Sequence, residues 1–271
     1  MASITQQVRV APGTTARLSR RNPADLLGLP DGKRRGRARA AKATEQIAAR
    51  QELLWAEGKQ SLLIVLQGLD ASGKDGVSRH LLTGVNPQGT EITSFKAPSE
   101  HELAHDFLWR THARTPARGM IGVFNRSHYE DIVTTQVLGL IDPTEASRRT
   151  RAVNEFEQHL VEQGTTVLKF FLHLSKEEQR QRLQDRIDRP EKRWKIEPSD
   201  LETRNHWDQY LELYDRTISA TSTDHAPWHV IPADHKWLRD VAIGEIVVRA
   251  LTKMDPRTPP GDPALDGVVV P

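Results

Sequence analysis

Gly68-Leu69-Asp70-Ala71-Ser72-Gly73-Lys74-Asp75-Gly76 decides how this chain is read. It follows an apolar run with strand character, Ser61-Leu62-Leu63-Ile64-Val65-Leu66-Gln67, and precedes a segment of helical character, Val77 to Thr83. The spacing G-x-x-x-x-G-K between a strand and a helix is that of the Walker A phosphate loop. A polyanion must be wrapped by backbone N–H groups, so the loop has to approach it without side chains in the way. Gly68, Gly73 and Gly76 permit that approach, and Ala71 and Ser72 are small. The helix that follows adds partial positive charge at its N-terminus, and Lys74 adds a full charge within reach of the outer phosphates.

Two acidic residues depart from the usual pattern. Asp75 stands where a Ser or Thr would hold Mg²⁺. It sits in the phosphate loop, where it also suits the first turn of a helix. Asp70 lies inside the loop, where a carboxylate would repel bound phosphate unless a cation came between them. Asp70 therefore reads as a Mg²⁺ ligand, direct or through water.

The chain has 271 residues, 37% hydrophobic and 27% charged, with a net charge of +2 that is unevenly spread. The length suits one large domain or two small ones, and the composition a soluble globular enzyme. There is no cysteine, which excludes a disulfide framework, a zinc-thiolate site and a thiol nucleophile. The eleven histidines show no H-E-x-x-H spacing. No apolar run approaches membrane-spanning length and no signal-peptide core is seen, so the expected location is the cytoplasm, away from membranes.

Strand-like and helix-like segments alternate. Strands are expected at 61–67, 91–95, 120–124, 165–174 and 228–233. Helices are expected at 44–58, after the phosphate loop, at 98–112, 130–140, 143–163, from the Ser175 capping box to about Arg189, at 207–220 and at 236–254. The pattern predicts an α/β fold, a parallel sheet with helices on both faces and ligands beyond the carboxyl ends of its strands. Residues 1–42 read as a basic, largely irregular arm, 43–255 as the phosphate-loop domain with a lid near 186–204, and 256–271 as a proline-rich tail. Pro12, Gly13, Pro23, Pro30 and Gly32 support the irregular reading of the arm. Lys33-Arg34-Arg35-Gly36-Arg37-Ala38-Arg39 reads either as a solvated run or as an anchor for a polyanion.

Two more constellations carry chemistry. Asn125-Arg126-Ser127-His128-Tyr129-Glu130-Asp131 follows the third strand. Arg126 could clamp a transferring phosphoryl group, and Asp131 and Glu130 are the candidates for a second metal-site carboxylate. Arg180, Arg182, Arg186, Arg189, Lys192, Arg193 and Lys195 face Asp185, Asp188 and Glu191 in a helix that ends at Pro190. A lid built this way brings positive charge over phosphates and excludes water. Trp194 reads either as an adenine-stacking group or as packing.

Gly68 to Gly76, Phe124-Asn125-Arg126-Ser127-His128-Tyr129-Glu130-Asp131 and Arg189-Pro190-Glu191-Lys192-Arg193-Trp194-Lys195 together resemble the signatures of the polyphosphate kinase 2 family. The resemblance spans about Thr44 to Met254 and includes Ala226 to Ala233. It implies a three-layer α/β/α P-loop kinase, thymidylate-kinase-like, with a helical basic lid. It implies phosphate transfer between inorganic polyphosphate and adenine nucleotides, with guanine nucleotides as further acceptors. Mg²⁺ is the implied cofactor, with Mn²⁺ as a substitute. The family's motifs carry over to Asp70 and Asp131 as metal-site residues, Lys74 and Arg126 as catalytic groups, and Arg186, Arg189, Lys192, Arg193 and Lys195 as polyphosphate-binding lid residues. Asn125, Tyr129 and Glu130 become the expected nucleotide contacts. Tyr129-Glu130-Asp131 resembles the subgroup that accepts both nucleoside mono- and diphosphates. Family members are usually oligomers, so a homo-oligomer, dimer or tetramer, is expected.

Two rivals remain at this level. An ATP-dependent nucleoside monophosphate kinase of the same fold would not need the extra Asp70. A nucleic-acid-binding protein using residues 33–39 would not need the paired carboxylates or the lid, and no nucleic-acid partner is expected. Loss of residues 1–42 is expected to spare turnover.

Overall fold

The strands are β1 (Ser61–Gln67), β2 (Thr90–Ser94), β3 (Ile121–Asn125), β4 (Thr165–His173) and β5 (Trp228–Pro232) in the computed structural model, which describes residues 3–29 and 32–270. All pair in parallel, in the order β2-β3-β1-β4-β5. The first strand is therefore central, and every one of its seven residues is buried. Its unbroken apolar run follows from that position, since a central parallel strand is covered on both faces.

The helices are α1 (Ile4–Val8), α2 (Gly32–Glu57), α3 (Lys74–Leu81), α4 (Glu100–Leu103), α5 (Trp109–His112), α6 (Glu130–Val137), α7 (Pro143–Glu162), α8 (Lys176–Asp188), α9 (Pro198–Asn205), α10 (Trp207–Thr221) and α11 (Lys236–Met254). Alternate residues of β1 feed two cores. Leu62, Ile64 and Leu66 pack with Ile47 and Leu54 of α2, Val77 and Leu81 of α3, and Leu238 and Val241 of α11. Leu63 and Val65 pack with Ile132 of α6, Val153 and Phe156 of α7, and Tyr214 and Ile218 of α10. The architecture is the expected three-layer α/β/α fold.

Three local expectations are corrected. The segment 98–112 is two short helices, α4 and α5, with Ala104–Leu108 outside helix between them. The helix after the phosphate loop begins at Lys74 itself, and α9 is an additional helix in the lid. Residues 1–42 are not largely irregular where described. The basic run forms the first turns of α2, and Gly36 lies so close to α11 that an added Cβ would come 2.1 Å from Trp237 Cε3. Upstream, Val10 N–H donates to the Trp228 carbonyl at 2.9 Å, Ala16 N–H to Ser219 Oγ at 2.9 Å and Leu18 N–H to Asp215 Oδ1 at 2.6 Å. Ala16 and Leu18 are buried. Removing this strap would uncover β5 and α10, so it is not a dispensable arm. Pro30 of that region lies outside the described residues. The tail from Arg257 to Val270 is exposed.

Beneath the ends of the strands lies a buried ionic knot. Lys169 of β4 donates to Glu157 Oε2 at 2.5 Å, Tyr129 Oη at 2.9 Å and the Thr221 carbonyl at 2.6 Å. An ammonium has three protons, and here each finds an acceptor. Tyr129 Oη donates to Glu157 Oε1 at 2.8 Å. Burial raises the Glu157 pKa, but Lys169 and His128 outweigh it and hold the carboxyl below its usual value. Lys169→Met leaves that carboxylate buried and uncompensated. The expected loss is about 3–5 kcal/mol in urea unfolding. A loss below about 1 kcal/mol would show that the knot contributes little.

Candidate active site

The loop after β1 has the backbone that its glycines allow. Gly68 has φ +148° and Gly73 φ +101°, and Ala71 also lies at positive φ. At Gly73 the backbone conformation requires glycine, and a Cβ would come 2.1 Å from Arg239 Nη1 and displace that guanidinium. Five successive carbonyls of the loop are taken by donors. Lys74 Nζ donates to the carbonyls of Gly68 at 2.6 Å and Leu69 at 3.3 Å. Gln179 Nε2 donates to Asp70 O at 3.0 Å. Arg182 Nη1 donates to Ala71 O at 3.0 Å and Ser72 O at 3.2 Å, and Arg239 Nη1 reaches Ser72 O at 3.5 Å. Ser72 Oγ is buried without a partner among the described residues. An unmatched hydroxyl in a ring of donors suits an anionic ligand.

Charge concentrates at the ends of β1 and β3. Arg126 has φ +60° and its Nη2 donates to Asp70 Oδ1 at 2.7 Å. Burial opposes its charge, but Glu130 and Asp70 raise its pKa above the ordinary value. Lys74 is lowered to about 8, first by burial and then by the charge of Arg126, against Asp70, Glu130 and Asp75. Asn125 Nδ2 donates to Asp75 Oδ1, and Glu130 Oε1 lies 3.5 Å from Tyr214 Oη. From the lid, Asp200 is raised by burial and then by the charge of Asp70. The structure thus brings Asp70, Lys74, Asp75, Asn125, Arg126 and Glu130 together.

Asp131 and Tyr129 do not join them. Asp131 is buried against Arg110, whose Nη2 lies 3.1 Å from Oδ2, and Arg149 Nη1 donates to its carbonyl at 2.8 Å. Its other charge partners are Arg149 and His128, a cluster separate from that of Asp70. The reason is helical geometry: Glu130 and Asp131 are adjacent on α6, and adjacent helical residues face different ways. Tyr129 is 1% exposed and tied into the Lys169 knot, so the expected nucleotide contact is corrected to a core residue.

The lid is α8, a 3-10 turn at Pro190–Lys195 and α9. Ser175 caps α8 by accepting from Glu178 N–H at 3.1 Å, while Ser175 N–H donates to Asp234 Oδ1 at 2.8 Å. The cations of the lid are held within it. Arg186 Nη1 donates to Lys195 O at 2.8 Å and lies 3.9 Å from Asp200. Arg189 pairs with Glu191 at 2.7 Å, Lys192 with Asp185 at 2.5 Å, and Arg193 Nε donates to Ile187 O at 2.7 Å. Lys195 Nζ lies 4.8 Å from the Trp194 ring, which is 77% exposed. The lid is tied to the loop directly by Arg182 and through a relay, Arg204 to Gln179 Oε1 at 2.9 Å and Gln179 to Asp70 O.

Magnesium takes hard oxygen ligands, commonly one or two carboxylates with phosphate oxygens and water completing the shell. Asp70 fits that role at the edge of the loop. Asp131, the expected second ligand, is paired with Arg110 at 3.1 Å as Asp70 is with Arg126 at 2.7 Å, so each carboxylate would exchange an arginine for the ion. Among the described residues no group of three or more His, Asp or Glu is placed to hold a metal by itself. Arg239 and Gln179 were missed in the sequence. The available signal was an arginine beside Leu238 and Val241 on the buried stripe of α11, which needs a buried acceptor.

The profile of the family described as Polyphosphate kinase 2 (PPK2) matches residues 31–259. The AMP/ADP-polyphosphate phosphotransferase of Meiothermus ruber is 44% identical over 265 residues, 98% of this chain and 99% of that protein. The ADP-polyphosphate phosphotransferase of Rhodopseudomonas palustris is 40% identical over 272 residues, 96% of this chain and 94% of that protein. The crystal structure of polyphosphate kinase 2 from Arthrobacter aurescens TC1 superposes with a TM-score of 0.92 at 41% identity, covering 96% of this chain and 93% of that one.

Two outcomes follow from this geometry. Tyr129→Phe should cost about 1–2 kcal/mol of stability and leave the nucleotide KM within about twofold of the parent. A large KM change at full stability would return Tyr129 to the site. Because Lys74 is lowered to about 8, its ammonium is lost as pH rises through that value. Phosphate favours the charged form, so polyphosphate binding near pH 8 should take up a proton and weaken toward higher pH. Calorimetry in two buffers of different ionisation enthalpy reads the uptake, and Lys74→Met should remove it.

Proposed function

The chain belongs to the polyphosphate kinase 2 family, and we propose that it uses both AMP and ADP as acceptors of phosphate from inorganic polyphosphate. It is a phosphotransferase acting between polyphosphate and nucleotides. The single observation that carries the acceptor reading is Glu130. It stands beside Arg126 and Tyr214 at the end of β3, within the Tyr129-Glu130-Asp131 sequence of the subgroup that takes both acceptors. The Meiothermus ruber relative, named for both AMP and ADP, supports the same reading.

In this reading the loop around Lys74 holds the phosphates, with its carbonyls turned away from them. Arg126 lies beside Lys74 and neutralises charge on the phosphoryl group in transfer. Phosphoryl transfer needs position and charge rather than a covalent nucleophile. The lid contributes Arg186, Arg189, Lys192, Arg193 and Lys195 when it closes, exchanging their present carboxylate, carbonyl and ring partners for phosphate and excluding water. Mg²⁺ held by Asp70 would neutralise phosphate oxygens, with Mn²⁺ as a substitute. Asn125, through Asp75, orients the loop edge toward the nucleotide. Guanine nucleotides as further acceptors, a cytoplasmic location and a homo-oligomer, dimer or tetramer, belong to the same proposal. Leu138 and Leu140, 61% and 69% exposed, are apolar surface that an oligomer could cover. Among the described residues no helix is long and apolar enough to cross a membrane.

The test is nucleotide production by purified protein with Mg²⁺ and long-chain polyphosphate as the only donor. ADP from AMP and ATP from ADP are both expected. Product from ADP alone would sink the double-acceptor reading. Transfer to a nucleoside monophosphate only from ATP would replace it with an ordinary nucleotide kinase.

A further inference from the structure

The basic run Lys33–Arg39 has no role in the site described above, yet it is seated firmly. It forms the first turns of α2, and Gly36 brings those turns against Trp237 at the start of α11. Arg39 pairs with Glu245 of α11, while Lys33, Arg34 and Arg37 are exposed. Next to Trp237 stands Lys236. Its pKa is lowered first by partial burial and then by the positive charges of Arg182 and Arg239, with Lys192 adding to them. Arg182 and Arg239 are the two arginines that hold the phosphate-loop carbonyls. Positive charge therefore runs from the loop, through Arg182, Arg239, Lys236 and Lys192, to the start of α2. The carboxylates on this path are Glu178 with Arg182, Asp185 shared by Lys192 and Arg189, Asp240 with Arg239, and Asp234 near Arg182. Beyond these pairs stand Lys236 and the exposed Lys33, Arg34 and Arg37 at the start of α2. Such crowding is unfavourable without a polyanion and is relieved by one.

We propose that Lys33, Arg34 and Arg37 of α2 bind the distal part of a long inorganic polyphosphate chain whose reacting end is held at the phosphate loop. The proposal rests on the polyphosphate reading above and extends it to donor length. It makes α2 a subsite that only a long donor can reach. Short donors react without it, and long donors gain affinity from it. Loss of about three phosphate contacts should lower the logarithmic salt slope of binding by about 2 and the affinity by roughly tenfold at low salt.

The experiment uses the full chain carrying K33Q/R34Q/R37Q, with KM and kcat measured for long-chain polyphosphate and for tripolyphosphate. The expected result is a KM for the long donor raised roughly tenfold, with its salt dependence reduced. Tripolyphosphate KM, nucleotide KM and kcat should be unchanged. An equal KM change for both donors, or none for either, overturns the α2 subsite. A second variant, R34E/R37E, should raise the long-chain KM further, and failure to do so at unchanged thermal stability also overturns it. If the substitutions abolish binding of an oligonucleotide and leave long-chain polyphosphate untouched, the run is a nucleic-acid contact and the proposal fails. Absence of turnover by the unsubstituted protein with any polyphosphate would instead sink the functional reading itself.

Discussion

The site depends on what is done with the carbonyl groups of one loop. A backbone bend that aims N–H groups at an anion must point carbonyls elsewhere, and buried carbonyls need donors. From Gly68 to Ser72 those donors are Lys74, Gln179, Arg182 and Arg239. They come from α3, α8 and α11, so three helices are tied to the end of β1. The same arrangement explains one buried arginine of this protein, Arg239, whereas Arg110 is buried against Asp131. Arg239 is packed beneath the loop because that is where its acceptor lies.

Around this loop the charges divide into two groups that the sequence runs together. Asp70, Arg126, Glu130 and Asp200 interact at the open ends of the strands. Asp131, Arg110 and Arg149 form a second cluster behind them. Under both lies the Lys169–Glu157–Tyr129 knot, where ionic and hydroxyl groups are satisfied without water. The knot holds the turn before α6, and that turn presents Arg126 to Asp70 and buries Tyr129 in the core. A buried ionic group can lend conformational specificity more readily than stability.

The fold was legible because the strands of a central parallel sheet write themselves as apolar runs, and because glycine spacing marks the loop between β1 and α3. That Lys74, Asp70 and Arg126 come together was legible for the same reason, since the motifs place them at the ends of adjacent strands. Tyr129 misled because a motif gives order along the chain but not the direction in which each side chain leaves it. The start of α2 was misread because charge and Gly36 look like disorder until Trp237 supplies a surface for that glycine. The long segment 98–112 read as one helix, although α4 ends at Leu103 and a turn intervenes before Trp109.

The strap over β5 and α10 bears on how the chain reaches its native state. Its hydrogen bonds join Ala16 to Ser219 and Leu18 to Asp215, partners 203 and 197 residues apart. Those residues emerge from the ribosome long before the surface they cover exists. Closing so large a loop is an entropic cost that must be met before the contacts reward it. Docking of the strap is accordingly a late event, after the sheet has gained its fifth strand. Until then β5 and α10 keep an uncovered face, and a nascent chain stalled in that interval is most exposed to association with other chains.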